Sequence, residues 1–265
     1  MREKSGTALV LFFFICPLDS RRIPKYVTVT TLMRPSPPDL FIGVDVQVSR
    51  GCPYYVLSST GEHVESGWMP AAHAPAQLHA LVVRLGCSEP RRVAVGIDAP
   101  RMALPAPRRW RWSGKDGVWS PAACSAVGSG RHCEVVIAAH RLANPQWTPV
   151  ASAAPGWMQL GFALFEGLRG HAHVHEIFPS AAYEQLAGDR AAAFTLSIGA
   201  LRPGPKDMLD AALGAFVVRE FWHGHGCEAG GGDGFGTIVL PRPLPAHSGG
   251  LHTWPEPVTV EYPSE

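Results

Sequence analysis

Acidic residues stand at or near the ends of three apolar segments of this chain. Asp45 lies in LFIGVDVQV, Asp98 lies in RRVAVGIDAP, and Glu176 lies in AHVHEIF. Asp207 and Asp210 are three residues apart in KDMLDAALGAF, so a helix would place them on one face. A carboxylate at the end of a buried strand is costly unless a cation or hydrogen-bond donors meet it. Acids that converge without a lysine cluster favour Mg²⁺ or Mn²⁺ over zinc.

Phosphoryl transfer is the chemistry that such a site would serve. Two divalent ions about 4 Å apart stabilise both the attacking and the leaving oxygen of an in-line displacement. Lys206 directly precedes the acid pair and could steady a phosphate or the developing charge. A plainer interpretation stays open, in which Asp45 caps a turn and the acid pair caps a helix N-terminus.

Hydrophobic patterning predicts the elements that would position these acids. Apolar runs bounded by turn residues predict strands at 40–48, 54–58, 63–69, 91–100, 172–178 and 237–240, and helical spacing predicts helices at 76–85, 158–168, 180–186 and within 202–222. A helix between the third and fourth strands implies a crossover that makes the fourth strand parallel to a neighbour. The order is that of an α/β protein, where ligands lie beyond the carboxyl ends of the strands.

Residues 101–157 form a long Pro- and Trp-rich segment with little periodicity, which is typical of a functional loop. Seven Arg and Lys residues against two acids give this segment a local charge of +5. Arg and Trp interleave in RRWRW, a pattern that could bind phosphates and stack bases. The predicted substrate-binding residues are Arg101, Arg108, Arg109, Arg111, Trp110 and Trp112. Alternatively, the Trp rings pack this segment onto the core, and both interpretations can hold together.

The composition of the chain indicates a globular protein. With 265 residues, 46% of them hydrophobic, the chain can bury a sizeable core. A net charge of +1 predicts no bulk attraction to nucleic acid or to an anionic membrane, so any such contact must come from a local patch. Six scattered cysteines without a CxxC motif favour a cytoplasmic location and no structural zinc.

Three segments are predicted along the chain. Residues 1–39 are predicted to be a leader, disordered or preceding a true start at Met33, with a secretory signal around Ala8 to Leu18 as the alternative. Residues 40–245 are predicted to form the domain, with 101–157 as an insertion, and 246–265 a tail.

Histidines and glycines give weaker signals. His171, His173 and His175 alternate, which is more typical of a packed or exposed histidine stripe than of a metal site. The sequence HGHGC at 223–227 predicts a mobile connection, and GGGDGFG at 230–236 lacks the lysine and spacing of a phosphate-binding loop.

Four motifs, taken in order, resemble a known family. They are FIGVD around Asp45, VGIDAP around Asp98, HEIFPSAAYEQL around Glu176, and KDMLDA around Asp207 and Asp210. Over roughly residues 40–245 this order is similar to the predicted RNase H-like nucleases called domain of unknown function 429. The resemblance implies an RNase H-like mixed β-sheet flanked by helices. It also implies a nuclease with these five acids as its site, Mg²⁺ or Mn²⁺ as cofactor and nucleic acid as substrate.

Two other functions stay open from the residues. A non-catalytic binding or scaffold protein of the same fold would use the acids structurally. A phosphotransferase of the actin and sugar-kinase type would also place an Asp on its first strand, but such proteins usually carry a D-x-G-x-T/S turn where Val46 and Gln47 follow Asp45 here.

Overall fold

The computed structural model describes residues 37–86, 92–122, 128–188, 206–247 and 249–256. Contacts divide the chain into Met1–Ser36 and Pro37–Glu265, and all described residues belong to the second unit. The predicted leader therefore lies outside the described residues, apart from its last three. Within the described ranges, no helix has the length and apolar character that a membrane span requires.

A mixed seven-stranded sheet organises the described chain. Its strands are β1 (Leu40–Asp45), β2 (Cys52–Ser58), β3 (His63–Met69), β4 (Val93–Asp98), β7 (His173–Ile177), β8 (Cys227–Gly230) and β9 (Thr237–Leu240), in the spatial order β3-β2-β1-β4-β7-β9-β8. The chain enters as the antiparallel meander β1 to β3, after which β4, β7 and β9 are parallel to β1. The predicted α/β class and the parallel crossover are confirmed.

Helices cover both faces of the sheet. They are α1 (Ala74–Gly86), α2 (His132–Ala139), α3 (Gly156–Gly167), α4 (Pro179–Gln185) and α5 (Lys206–Trp222). Alternate strand residues such as Val44 and Ile97 pack against α1 and α3. Phe41 and Ala94, with the opposite parity, pack against α4 and α5. Because α5 is buried nearly all round, its polar residues have to find partners inside the protein.

Two glycines allow α5 to lie directly on the sheet. A Cβ atom at Gly43 would lie 1.9 Å from the Ala211 carbonyl oxygen and 2.3 Å from the Ala215 nitrogen. A Cβ atom at Gly214 would lie 2.4 Å from the Ile177 Cδ1 atom. Without side chains at these positions, the helix backbone contacts β1, and the first turns of α5 come close to the carboxyl end of that strand.

The segment predicted to lack periodicity contains regular structure. A separate hairpin pairs β5 (Trp110–Ser113) with β6 (Val118–Pro121), and α2 follows it. Trp119 packs edge-to-face on Trp254 and donates its indole N–H to the Gly250 carbonyl at 3.0 Å. Leu251 is fully buried in the same cluster. Residues 249–256, predicted to belong to a tail, therefore pack against the hairpin and α2.

Residues 223–226 form a turn, which agrees with the connection predicted at 223–227, and Cys227 begins the edge strand β8. That strand pairs antiparallel with β9 across the glycine-rich turn.

Histidines on β7 are packed, as the sequence predicted. His173 and His175 lie against Trp222 at ring-centroid distances of 4.7 and 6.0 Å, and the Trp222 indole N–H donates to His175 Nε2 at 3.1 Å. Accepting this bond requires an unprotonated Nε2. Burial first, then the positive charge of Arg101, lowers the pKa of His175 to about 4.

Acidification should therefore destabilise the fold through His175. The unfolded chain binds a proton near pH 6.5 and the folded one near 4, so stability is lost as pH falls through that window, by about 3 kcal/mol at most. Gln can accept the Trp222 hydrogen bond without titrating, so His175→Gln should flatten the dependence of unfolding free energy on pH in urea titrations at pH 7.0, 5.5 and 4.5. His73→Gln, at an exposed site, is the control. Equal slopes for the wild type and His175→Gln would refute this assignment.

Candidate functional site

The first two predicted acids are side by side on the sheet. In the parallel register of β1 and β4, Gly43 is paired with Gly96 and Asp45 with Asp98. Paired residues on neighbouring strands point to the same face and are separated by about 4.8 Å. Both carboxylates therefore lie at the carboxyl ends of their strands, on the face that α5 covers.

The helical acid pair lies on the same side of the sheet. Asp207 and Asp210 are in the first two turns of α5, and both are buried. Asp210 accepts a hydrogen bond from the Tyr183 hydroxyl at 2.9 Å and forms an ion pair with Lys206 one turn earlier. The Asp207 Oδ2 atom lies 2.9 Å from the Arg50 Nη2 atom. Tyr183 and Arg50 thus belong to the site; Tyr183 lies within the motif HEIFPSAAYEQL, whereas no motif pointed to Arg50.

The four acids share one electrostatic environment. Burial raises the pKa of Asp45 to about 6; the charges of Asp210 and Asp207 add to this effect, while the Gln47 amide, 3.1 Å away, opposes it. Burial also raises the pKa of Asp98 well above its ordinary value, and repulsion from Asp45 and Asp210 raises it further. The carboxylates are therefore close enough to oppose one another's ionisation.

Negative charge at this site is only partly compensated. Four carboxylates face two cationic side chains, Lys206 and Arg50, and more than half of each cationic side chain is exposed. Within the described ranges, the Asp98 carboxylate has neither a hydrogen bond nor an ion pair. The Asp207 Oδ2 atom is buried and, despite its proximity to Arg50, has no hydrogen bond of acceptable geometry. Each of these oxygens retains capacity for a ligand.

The donor chemistry fits a hard divalent cation, although the side chains are not arranged as a closed metal site. All candidate donors are carboxylate oxygens, which suit Mg²⁺ or Mn²⁺. In the part of the chain that the structure describes, no three His, Cys, Asp or Glu side chains are placed to hold an ion together. Arg50 and Lys206 contact two of the four acids. Coordination of one ion by all four acids would require the Arg50 and Lys206 side chains to move away from Asp207 and Asp210.

The fifth predicted acid, Glu176, points to the opposite face. It is paired with Ile97 rather than with Asp98, so its side chain has the other parity. Its Oε2 atom accepts from Arg131 Nη1 at 2.7 Å and from the Arg101 backbone N–H at 2.9 Å. Arg131 is only 1% exposed and also bonds to Glu134. Glu176 therefore neutralises a buried guanidinium, although its negative charge also raises the pKa of Asp98.

A cavity of about 370 Å³ opens at the carboxyl ends of the strands. Its lining includes Asp45, Asp98 and Glu176 from the sheet, with Glu134 and Gln146 from the segment between β6 and α3. The position is the one where α/β sheets commonly bind ligands. An extended substrate could therefore reach Asp45 and Asp98 from this side.

The predicted substrate-binding residues lie elsewhere. None of Arg101, Arg108, Arg109, Arg111, Trp110 and Trp112 lines this cavity. Arg108 lies over the Trp147 ring at 5.5 Å, and Arg109 forms an ion pair with Glu256 at 3.0 Å. Trp112 packs against Trp119. On the β5–β6 hairpin, Arg111 is exposed on the side opposite the Trp rings. Trp112 therefore has a packing role here.

Comparison of the chain with protein-family models, curated proteins and solved structures gave no match. The resemblance to the RNase H-like nucleases is therefore carried by the sequence motifs alone.

Proposed function

We propose that this protein is a metal-dependent phosphodiesterase that cleaves nucleic acid. The observation that carries the proposal is the register of β1 and β4, which pairs Asp45 with Asp98 at the carboxyl edge, on the face where α5 contributes Asp207 and Asp210. Such a concentration of carboxylates is costly without a cation, and Asp98 has no partner within the described chain. The fold tolerates this cost beside the cavity at the carboxyl ends of the strands.

Asp45, Asp98, Asp207 and Asp210 would hold Mg²⁺ or Mn²⁺, which when bound supplies activation of water and stabilisation of charge on the phosphate. Gln47 holds the Asp45 carboxylate in place, and Tyr183 does the same for Asp210. Lys206 is largely exposed beside Asp210, so it can turn towards a phosphate oxygen. Glu176 acts indirectly, because it fixes Arg131 and the Arg101 backbone beneath the cavity.

The mixed sheet has an antiparallel meander followed by parallel strands that end in acids. This arrangement agrees with an RNase H-like architecture and with membership of the domain of unknown function 429 family. The segment 101–157 is then an insertion whose exposed Arg109 and Arg111 could bind the phosphate backbone of a DNA or RNA substrate. A cytoplasmic location accords with the free thiols of Cys52, Cys133 and Cys227.

A non-catalytic binding or scaffold function is the second candidate, and the ion pairs at α5 favour it. Lys206 and Arg50 contact Asp210 and Asp207 as they would if these acids only stabilised the helix start. The two functions differ in what they predict for metal binding.

Calorimetry of Mn²⁺ binding, followed by cleavage assays, distinguishes the two functions. The wild type should bind Mn²⁺ at pH 7.5 and cleave DNA, RNA or branched junctions only when Mg²⁺ or Mn²⁺ is present. Asp98→Asn should abolish both properties while Glu62→Gln, at an exposed position, preserves them. Mn²⁺ binding without cleavage of any of these substrates would count against the nuclease, and the absence of Mn²⁺ binding would favour the scaffold.

A further inference from the structure

Three histidines from separate segments converge on the surface away from the acidic site. His140 is the C-cap residue after α2, and His247 and His252 lie in the segments that follow β9. The His140 ring is 5.2 Å from the His247 ring and 5.4 Å from the His252 ring, between centroids. No sequence motif brought these residues together, because more than a hundred positions separate the first from the others.

The ring nitrogens of His140 and His252 face each other. Their Nε2 atoms are 3.4 Å apart. A hydrogen bond between two imidazoles would need one protonated nitrogen, and it would normally be nearer to about 3.0 Å. Two nitrogens bound to one tetrahedral zinc ion at about 2.0–2.1 Å are separated by about 3.3–3.4 Å. The observed separation is long for a hydrogen bond and also matches that of two nitrogens bound to one metal ion.

We infer that His140 and His252 form a binding site for a borderline divalent cation, Zn²⁺ in the first place, which ties residues 249–256 to the end of α2. Imidazole nitrogen prefers Zn²⁺, Ni²⁺ and Cu²⁺ to Mg²⁺, so the site differs in kind from the carboxylate cluster. Both rings reach solvent, so an ion can enter and water can complete its coordination.

The attachment has a structural consequence next to the pair. The Leu251 carbonyl is 2.8 Å from His132 Nε2, and His132 Nδ1 accepts the Gly232 N–H at 2.9 Å. Since Nδ1 accepts, Nε2 carries the proton and donates to Leu251. An ion on His252 would therefore fix the residue that follows Leu251, which His132 already holds. Binding of the ion should raise the thermal stability of the whole domain.

Zinc titrations of the metal-free protein test this site. The wild type at pH 7.5 should bind Zn²⁺ by calorimetry and show a higher melting temperature with Zn²⁺ but not with the same concentration of Mg²⁺. His140→Ala and His252→Ala should each weaken the affinity by about tenfold or more and remove most of the thermal shift. His73→Ala, an exposed histidine on the 3₁₀ helix Ala71–His73, is the matched control.

His252→Gln provides a second variant that keeps the side-chain size if the alanine variants fold poorly. The inference is overturned if the wild type binds no Zn²⁺ up to 1 mM, or if the His140 and His252 variants bind it as tightly as His73→Ala does. Asp98→Asn should leave the zinc response intact, so failure of the proposed nuclease and failure of the zinc site are separately visible.

Discussion

Asp45→Asn should abolish metal-dependent cleavage and, above pH 6, make the metal-free protein more stable. The folded-state pKa of Asp45 is about 6, against an ordinary value of 3.8, mainly because of burial and then because of Asp210 and Asp207. A carboxyl group with a raised folded pKa contributes its full stability below about pH 4 and loses it as pH rises through 6. Asn has no charge to bury, so the gain in unfolding free energy over the wild type should appear between pH 4 and 6 and stay constant above pH 6.

The expected gain is roughly 1–2 kcal/mol, because a shift of this size corresponds to about 3 kcal/mol before solvent screening is allowed for. Urea unfolding in EDTA at pH 4.5 and 7.5 measures it, with Glu62→Gln as an exposed control. Cleavage should fall roughly 100-fold or more, since a group that stabilises the transition state would be lost. If Asp45→Asn and Asp210→Asn each destabilise the metal-free protein by about 1 kcal/mol or more, both acids are structural acceptors and the scaffold function is favoured.

The sequence predicted that Asp45 and Asp98 lie at one edge of the sheet if their strands are neighbours, and the reason is physical. Each acid follows an apolar run, and a helix between the runs requires a parallel crossover, which brings both strand ends to one edge. Glu176 also lies near the end of an apolar run, and yet its side chain points to the opposite face of the sheet. Its orientation depends on a register in which Ile97 is its partner, and a shift of one residue would reverse it. Apolar runs buried on both faces carry no alternation that fixes this parity.

Other elements depended on partners that the sequence does not reveal. Helix α2 has only eight residues, begins at His132 and includes the β-branched run Val135 to Ile137, so its local propensity is weak. It is fixed by the buried Arg131, whose ion pairs with Glu134 and Glu176 join the start of α2 to β7. The i, i+3 spacing of Arg131 and Glu134 was the only local signal. Strand β8 contains a glycine and exists because β9 pairs with it.

Gly43→Ala should cause a large loss of stability, and should disable the site with it. The added Cβ would overlap the backbone of α5 at Ala211 and Ala215, which cannot rotate away as a side chain can. The helix must therefore move off β1, at a cost of about 3 kcal/mol, near the upper end for overpacking. For a domain of this size that corresponds to a fall in melting temperature of about 6–12 °C.

The displacement also separates Asp207 and Asp210, which travel with α5, from Asp45 and Asp98, which remain on the sheet. Mn²⁺ affinity should therefore fall in the Gly43→Ala protein even at a temperature where it is fully folded. A loss of both stability and Mn²⁺ affinity is expected if the acids of α5 and of the sheet bind one ion together, and not if the sheet acids bind it alone. Gly156→Ala is the matched control, because a Cβ there meets no atom within 4 Å and alanine favours the start of α3. A Gly43→Ala protein that melts within 1 °C of the wild type would show that α5 does not lie on β1 as described. One that loses stability but keeps full Mn²⁺ affinity would show that the helical acids are not part of the metal site.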